Sequence, residues 1–85
     1  MRTSQEVAEI LRDAFRPLQC RTEVHYDREF GFRVYAGDGR EVYTQPLMVA
    51  TSLLDDAELT RFVRRARTEV ERRSGIKLDT WRLPT

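Results

Sequence analysis

Asp55-Asp56-Ala57-Glu58-Leu59-Thr60-Arg61-Phe62-Val63-Arg64-Arg65-Ala66-Arg67-Thr68-Glu69-Val70-Glu71-Arg72-Arg73-Ser74-Gly75 sorts its residues by face. Leu59, Phe62, Val63, Ala66 and Val70 recur at i, i+3, i+4, i+7 and i+11, one narrow apolar stripe at helical spacing. Arg61, Arg64, Arg65, Arg67, Arg72 and Arg73 occupy the rest of the cylinder, mixed with Glu58, Glu69 and Glu71. A helix with this pattern lies on a core and turns an arginine-rich surface to solvent. Asp55 can cap its first turn, with Glu58 at the reciprocal position of a capping box. Gly75, after Ser74, suits the left-handed residue that closes a helix.

Upstream of this helix the period changes to two. Cys20, Thr22, Val24 and Tyr26 alternate with Arg21, Glu23 and His25, and Phe30, Phe32, Val34 and Ala36 alternate with Gly31, Arg33 and Tyr35. These runs predict two half-buried strands joined by a turn over Asp27-Arg28-Glu29. Gly37-Asp38-Gly39 supplies the positive φ angles of a tight hairpin. Arg40 to Gln45 predicts a third strand, ended by Pro46, which cannot donate to a ladder. Leu47 to Leu54 reads equally as a strand extension, a bulged edge or an apolar connection. At the N-terminus, Thr3-Ser4-Gln5-Glu6 fits a capping box. Val7, Ile10, Leu11, Ala14 and Phe15 then mark a first amphipathic helix that Pro17 terminates.

The predicted fold class is α+β, a two-layer sandwich in the order α-β-β-β-α. An antiparallel three-stranded meander carries both helices on one face. Its inner face would hold Val24, Tyr26, Phe30, Phe32 and Val34. Its outer face would hold Arg21, Glu23, His25, Arg33, Tyr35 and Tyr43. Residues 1–85 form one domain, with a core over about 3–74. In the tail over 75–85, Ile76, Leu78, Trp81 and Leu83 are spaced to fold back on it. A chain of this length buries about 60% of its unfolded surface, enough for one core and not for two.

Composition narrows the function without naming it. The formal charge is +1, so no global field draws the chain to nucleic acid or to an anionic membrane. Lys77 is the sole lysine, and arginine favours planar, bidentate partners such as carboxylate and phosphate. The plainer explanation is arginine-rich codon usage. One cysteine, Cys20, rules out an intramolecular disulfide, and no apolar run reaches the ~20 residues of a membrane span. The first residues enter an amphipathic helix rather than an apolar secretion segment, so a cytoplasmic location is expected.

Catalytic and metal chemistry find few parts. Cys20 shares the inward phase with Val24, whereas His25, the single histidine, has the opposite phase. Their side chains therefore leave the strand on opposite faces, and no Cys–His pair forms within one chain. A metal site needs three or four converging ligands, which this set does not offer. Asp55-Asp56 and Asp27/Glu29 read as a cap and a turn rather than as an acid–base pair. Gly37-x-Gly39 lacks the strand–turn–helix context of a dinucleotide loop. No enzyme activity, cofactor or metal is expected.

Phe15-Arg16-Pro17-Leu18-Gln19-Cys20 is similar to a motif in a family of small bacterial proteins, chiefly from pseudomonads, whose domain has no assigned function. The likeness spans a helix ending in F-x-P-L-x-C, short strands and a final helix rich in arginine and glutamate, about Val7 to Glu71. Members often carry a second cysteine soon after the first, where this chain has Arg21 and Thr22. The resemblance implies a fold and no activity. The order of elements also resembles that of double-stranded RNA-binding domains, whose second helix opens with phosphate-straddling lysines. Here Asp55 and Asp56 stand at that place and would repel phosphate, so the likeness is one of topology.

Two surfaces are then candidates for function. Arg61, Arg65 and Arg72 project within about 40° of one another on the helical wheel, a ridge about 16 Å long, with Arg64 beside it. The pairs Arg65–Glu69, Arg67–Glu71, Glu69–Arg73 and Glu58–Arg61 would equally make this an ordinary solvated helix. The outer sheet face, with His25, Arg33, Tyr35 and Tyr43, is more aromatic than a face meant for water alone. A three-stranded sheet also leaves two open edges. The leading expectation is a small interaction or regulatory module, homodimeric or binding a protein partner, without catalysis. The alternative is a nucleic-acid-binding accessory protein that uses Arg61, Arg64, Arg65, Arg72 and Arg33.

Overall fold

The computed structural model describes residues 3–26, 29–49 and 55–84. The chain runs α1 (Ser4–Ala14), β1 (Gln19–His25), β2 (Glu29–Tyr35), β3 (Glu41–Val49) and α2 (Asp56–Ser74). The sheet is an antiparallel meander in the order β1-β2-β3. This is the expected α+β order.

Both helices start and stop where local chemistry satisfies their ends. The Thr3 hydroxyl accepts the Glu6 N–H at 3.1 Å, and the Glu6 carboxylate accepts the Thr3 N–H at 3.4 Å, a complete capping box. The Asp55 carboxylate accepts the Glu58 N–H at 3.1 Å. Glu58 does not return the bond and pairs with Arg61 instead. Gly75 takes φ 71° and donates to Glu71 O at 2.9 Å, a left-handed helix cap that a Cβ would oppose.

One aromatic cluster shows that the helices share a sheet face. Phe32 of β2 stacks on Phe15, at the exit of α1, with centroids 5.4 Å apart. Phe62 of α2 meets the same ring edge-on at 6.1 Å and Phe30 at 6.3 Å. Val7, Leu11, Leu59, Val63 and Val70 are fully buried around this cluster. Leu78 joins them from the tail, and Trp81 and Leu83 pack against the edge of the core.

The tail is held by specific bonds. Arg67 donates through Nη1 to Ala14 O and through Nη2 to Asp79 O, the latter at 2.5 Å. The Asp79 N–H donates to Arg16 O at 2.8 Å, and the Leu78 N–H donates to the Glu71 carboxylate at 2.8 Å. The expected Arg67–Glu71 pair is replaced by these contacts, because both side chains meet backbone groups that would otherwise lack partners.

Three expectations about the sheet are corrected. Tyr26 is 86% exposed, because its φ of 54° ends the strand's alternation and turns the ring off the inner face. Glu29 belongs to β2, opposite His25, and the rest of the expected turn, Asp27 and Arg28, lies outside the described residues. β3 does not end at Pro46 but continues to Val49. Phe30 pairs with Met48 and Phe32 with Gln45, so β3 carries an extra residue there, opposite Gly31. A bulge on an edge strand is one of the few places where a sheet tolerates a residue without an N–H. Residues 50–54, the remainder of the uncertain connection, lie outside the described residues.

That bulge explains Gly31. A Cβ at this position would stand 2.7 Å from Gln45 O and 3.1 Å from Leu47 N. The backbone of β3 therefore presses onto β2 where β2 has no side chain. In the hairpin between β2 and β3, Gly39 alone takes positive φ, 87°, while Gly37 does not. This is the three-residue loop in which a turn is followed by a left-handed residue.

Candidate interaction surfaces

A second irregularity moves one residue off the expected outer face. Val34 pairs with Tyr43 and Tyr35 with Glu41, leaving Val42 as an extra residue in β3. Strict alternation from Glu41 would point Tyr43 outward. The extra residue reverses the phase, so Tyr43 turns to the helix side and stacks on Phe32 at 5.6 Å. The Arg73 guanidinium lies over the Tyr43 ring, 5.6 Å from its centroid. Burial raises the Tyr43 hydroxyl's pKa, opposed by Arg73 and reinforced by Glu69. Tyr43 is thus part of the joint between α2 and the sheet, and not of the outer face.

The other candidate residues fall on opposite sides of the molecule. Arg61, Arg64, Arg65 and Arg72 line the solvent side of α2, whereas His25, Arg33 and Tyr35 lie on the far face of the sheet. On the helix, Arg61 and Arg72 are engaged by carboxylates of the same helix. Arg61 Nη1 is 3.1 Å from Glu58 Oε1. Arg72 forms a two-pronged pair with Glu69, its Nε donating at 3.1 Å, and Arg73 Nε reaches the same carboxylate at 2.9 Å. The bond from Arg72, with help from Arg73, holds Glu69 below its usual carboxylate range, and Glu69 in turn raises Arg72. The expected Arg65–Glu69 pair does not form. Arg64 and Arg65 carry no side-chain ion pair among the described residues.

The outer sheet face is uncovered. A groove of about 530 Å³ runs across it, with Gly31 on its floor and Arg21, Glu23, Arg33, Tyr35, Thr44 and Leu47 around it. At its floor the β3 backbone over Gln45 to Leu47 closes on Gly31, and the side chains of Arg21, Arg33 and Leu47 stand around that point. Arg21 lies over the Tyr35 ring at 5.7 Å, Arg33 Nε is 3.5 Å from Glu41 Oε1, and His25 Nε2 is 2.8 Å from Glu23 Oε1. Leu47 and Val49 on β3 are 45% and 61% exposed. The expectation that this face is aromatic and charged holds for Tyr35, Arg33 and His25. Gly31, Leu47 and Val49 were missed; the Phe30-Gly31-Phe32 spacing, a glycine between two inward phenylalanines, was the available signal.

Cys20 is buried on the inner face, and burial lifts its thiol pKa to about 12 despite the opposing charge of Arg12. His25 leaves β1 on the other face, as the strand period requires. Among the described residues no group of three His, Cys, Asp or Glu side chains converges as a metal site, and no helix is long and apolar enough to cross a membrane.

Comparison of the chain with protein-family models, with curated proteins and with solved structures gives no match. Residues Phe15 to Cys20 have a plain structural role. Phe15 and Leu18 are buried, the Leu18 N–H donates to Phe15 O at 2.8 Å, and Cys20 fills the core beside them. The motif is the packed corner between α1 and β1.

Proposed function

We propose that this protein is a small cytoplasmic interaction module, without catalysis, that binds protein through the open side of its sheet. The observation that carries this reading is the contrast between the two surfaces. The arginine ridge of α2 spends Arg61 and Arg72 on Glu58 and Glu69 of the same helix, and Arg73 joins Glu69 from beside it. The sheet instead leaves Tyr35 and Leu47 lining a groove and Val49 exposed beyond Leu47 on β3, and among the described residues no further strand pairs with either edge. Exposed apolar and aromatic side chains ringed by charge favour a protein surface over a polyphosphate. The lone buried thiol suits a reducing compartment.

The reading is tested by two titrations. Sedimentation equilibrium across the micromolar range follows self-association. Fluorescent single- and double-stranded DNA and RNA, at roughly 50 and 200 mM salt, follow phosphate binding. The expected result is reversible self-association that changes little with salt, and no nucleic-acid binding in either buffer. Nucleic-acid binding that collapses at the higher salt and is abolished by Arg61→Glu with Arg65→Glu would overturn it in favour of the accessory-protein alternative.

A further inference from the structure

The two edges of the sheet are not equivalent. β3 is interrupted twice, by the extra residue Val42 and by the bulge at Pro46 opposite Gly31. Bulges and proline are the features that stop an edge strand from accepting a neighbour. β1 has neither. All seven of its residues, from Gln19 to His25, pair in unbroken register with β2. No backbone hydrogen bond from another described segment reaches its free side. β1 is therefore the edge on which the sheet can grow.

Resting on the reading of the open sheet as a binding surface, we infer that the occupant of this edge is a second copy of the chain, paired antiparallel with Thr22 on the two-fold axis. A two-fold axis perpendicular to the sheet keeps inward residues opposite inward residues, so each allowed register is centred on one residue. Centring on Thr22 is the register that pairs all seven positions. It sets Arg21 opposite the second copy's Glu23, twice, on the outer face. It sets Cys20 opposite the second copy's Val24, twice, on the inner face, and Gln19 opposite the second copy's His25. Thr22 and Val24 are only half-buried within one chain, so the inner layer gains cover at this edge.

The neighbouring registers are disfavoured by charge. Centring on Arg21 sets arginine against arginine, and centring on Glu23 sets glutamate against glutamate. Like charges directly opposite destabilise a sheet, whereas opposite charges support it. Arg21 is exposed and forms no ion pair among the described residues, and the Glu23 side chain is 64% exposed. Both can reach across the strand gap. The product is a six-stranded sheet with four helices on one face, in which the α1 helices become neighbours across the axis. Their spacing is the geometric condition that the pairing must meet.

Charge reversal tests the register. Arg21→Glu and Glu23→Arg, each alone, convert both cross-strand pairs to like charges and should weaken dimerisation by roughly tenfold. The combined Arg21→Glu/Glu23→Arg chain restores opposite charges and should recover wild-type association. Sedimentation gives the dissociation constant, and circular dichroism confirms that each variant is folded. A dimer indifferent to both single reversals, or a combined variant as weak as the singles, overturns this register while leaving self-association intact. A wild-type chain that stays monomeric at high micromolar concentration overturns the underlying reading itself.

Discussion

Arg67→Ala is the substitution whose effect departs furthest from what the helix surface suggests. By sequence position Arg67 belongs to the solvated arginine set, where removal of one member costs a few tenths of a kcal/mol. In the fold it bonds Ala14 O at the end of α1 and Asp79 O in the tail. Each is a bond from a charged donor, worth about 1.5–3 kcal/mol when both partners are out of water. Arg67 is half-exposed, so the pair is discounted to about 2–3 kcal/mol in total. A domain of this length has about 4–13 kcal/mol of stability, so the loss is a substantial fraction. At about 4–8 °C per kcal/mol, the midpoint falls by about 10–20 °C. Thermal unfolding followed by circular dichroism measures this, with Arg61→Ala as the surface control. Trp81, the single tryptophan, packs in the tail that Arg67 tethers, and its emission should shift red below the main transition. An Arg67→Ala midpoint within a degree or two of Arg61→Ala would refute the tether.

Gly31→Ala should destabilise the fold by about 1–3 kcal/mol, because the added carbon meets backbone at 2.7 Å and the bulge must shift; urea unfolding reads the loss, and a neutral result would contradict the close approach. Cys20 should be inert to thiol reagents in the native state and react once unfolded. Its folded pKa, about 12, lies above the unfolded value of 9.0, so the stabilisation is fully present below pH 9 and is lost as pH rises toward 12. Urea unfolding at pH 8 and pH 10 should therefore show a decline that Cys20→Ala reduces. Trp81 Nε1 is buried without a hydrogen-bond partner among the described residues. Trp81→Phe removes that unmet donor and should cost less than about 1 kcal/mol, far less than Trp81→Ala at about 3–5 kcal/mol.

What could be read from the sequence was set within a few residues along the chain. The Thr3–Glu6 capping box, the Leu59-to-Val70 stripe and the Gly75 cap each depend on neighbours no more than about three turns away. What escaped depends on pairing partners elsewhere. Val42 and Pro46 become bulges only because β2 opposes them, and the first of these moves Tyr43 from the outer face to the helix side. Tyr26 continued the alternation in sequence but not in φ. Arg67 and Glu71 stood at ion-pair spacing, yet each found backbone partners in α1 or the tail, and Ala14 lies 53 positions from Arg67. On the candidate surfaces the change was Tyr43, grouped with Tyr35 by alternation and found on the helix side.

The most direct test of the open sheet as the binding surface is an amide NMR dilution series on the wild-type chain. The account predicts concentration-dependent shifts concentrated in Gln19–His25 and the adjoining outer face, with the solvent side of α2 unchanged. Shifts confined to Arg61–Arg73, or spectra that do not change with concentration, would contradict it.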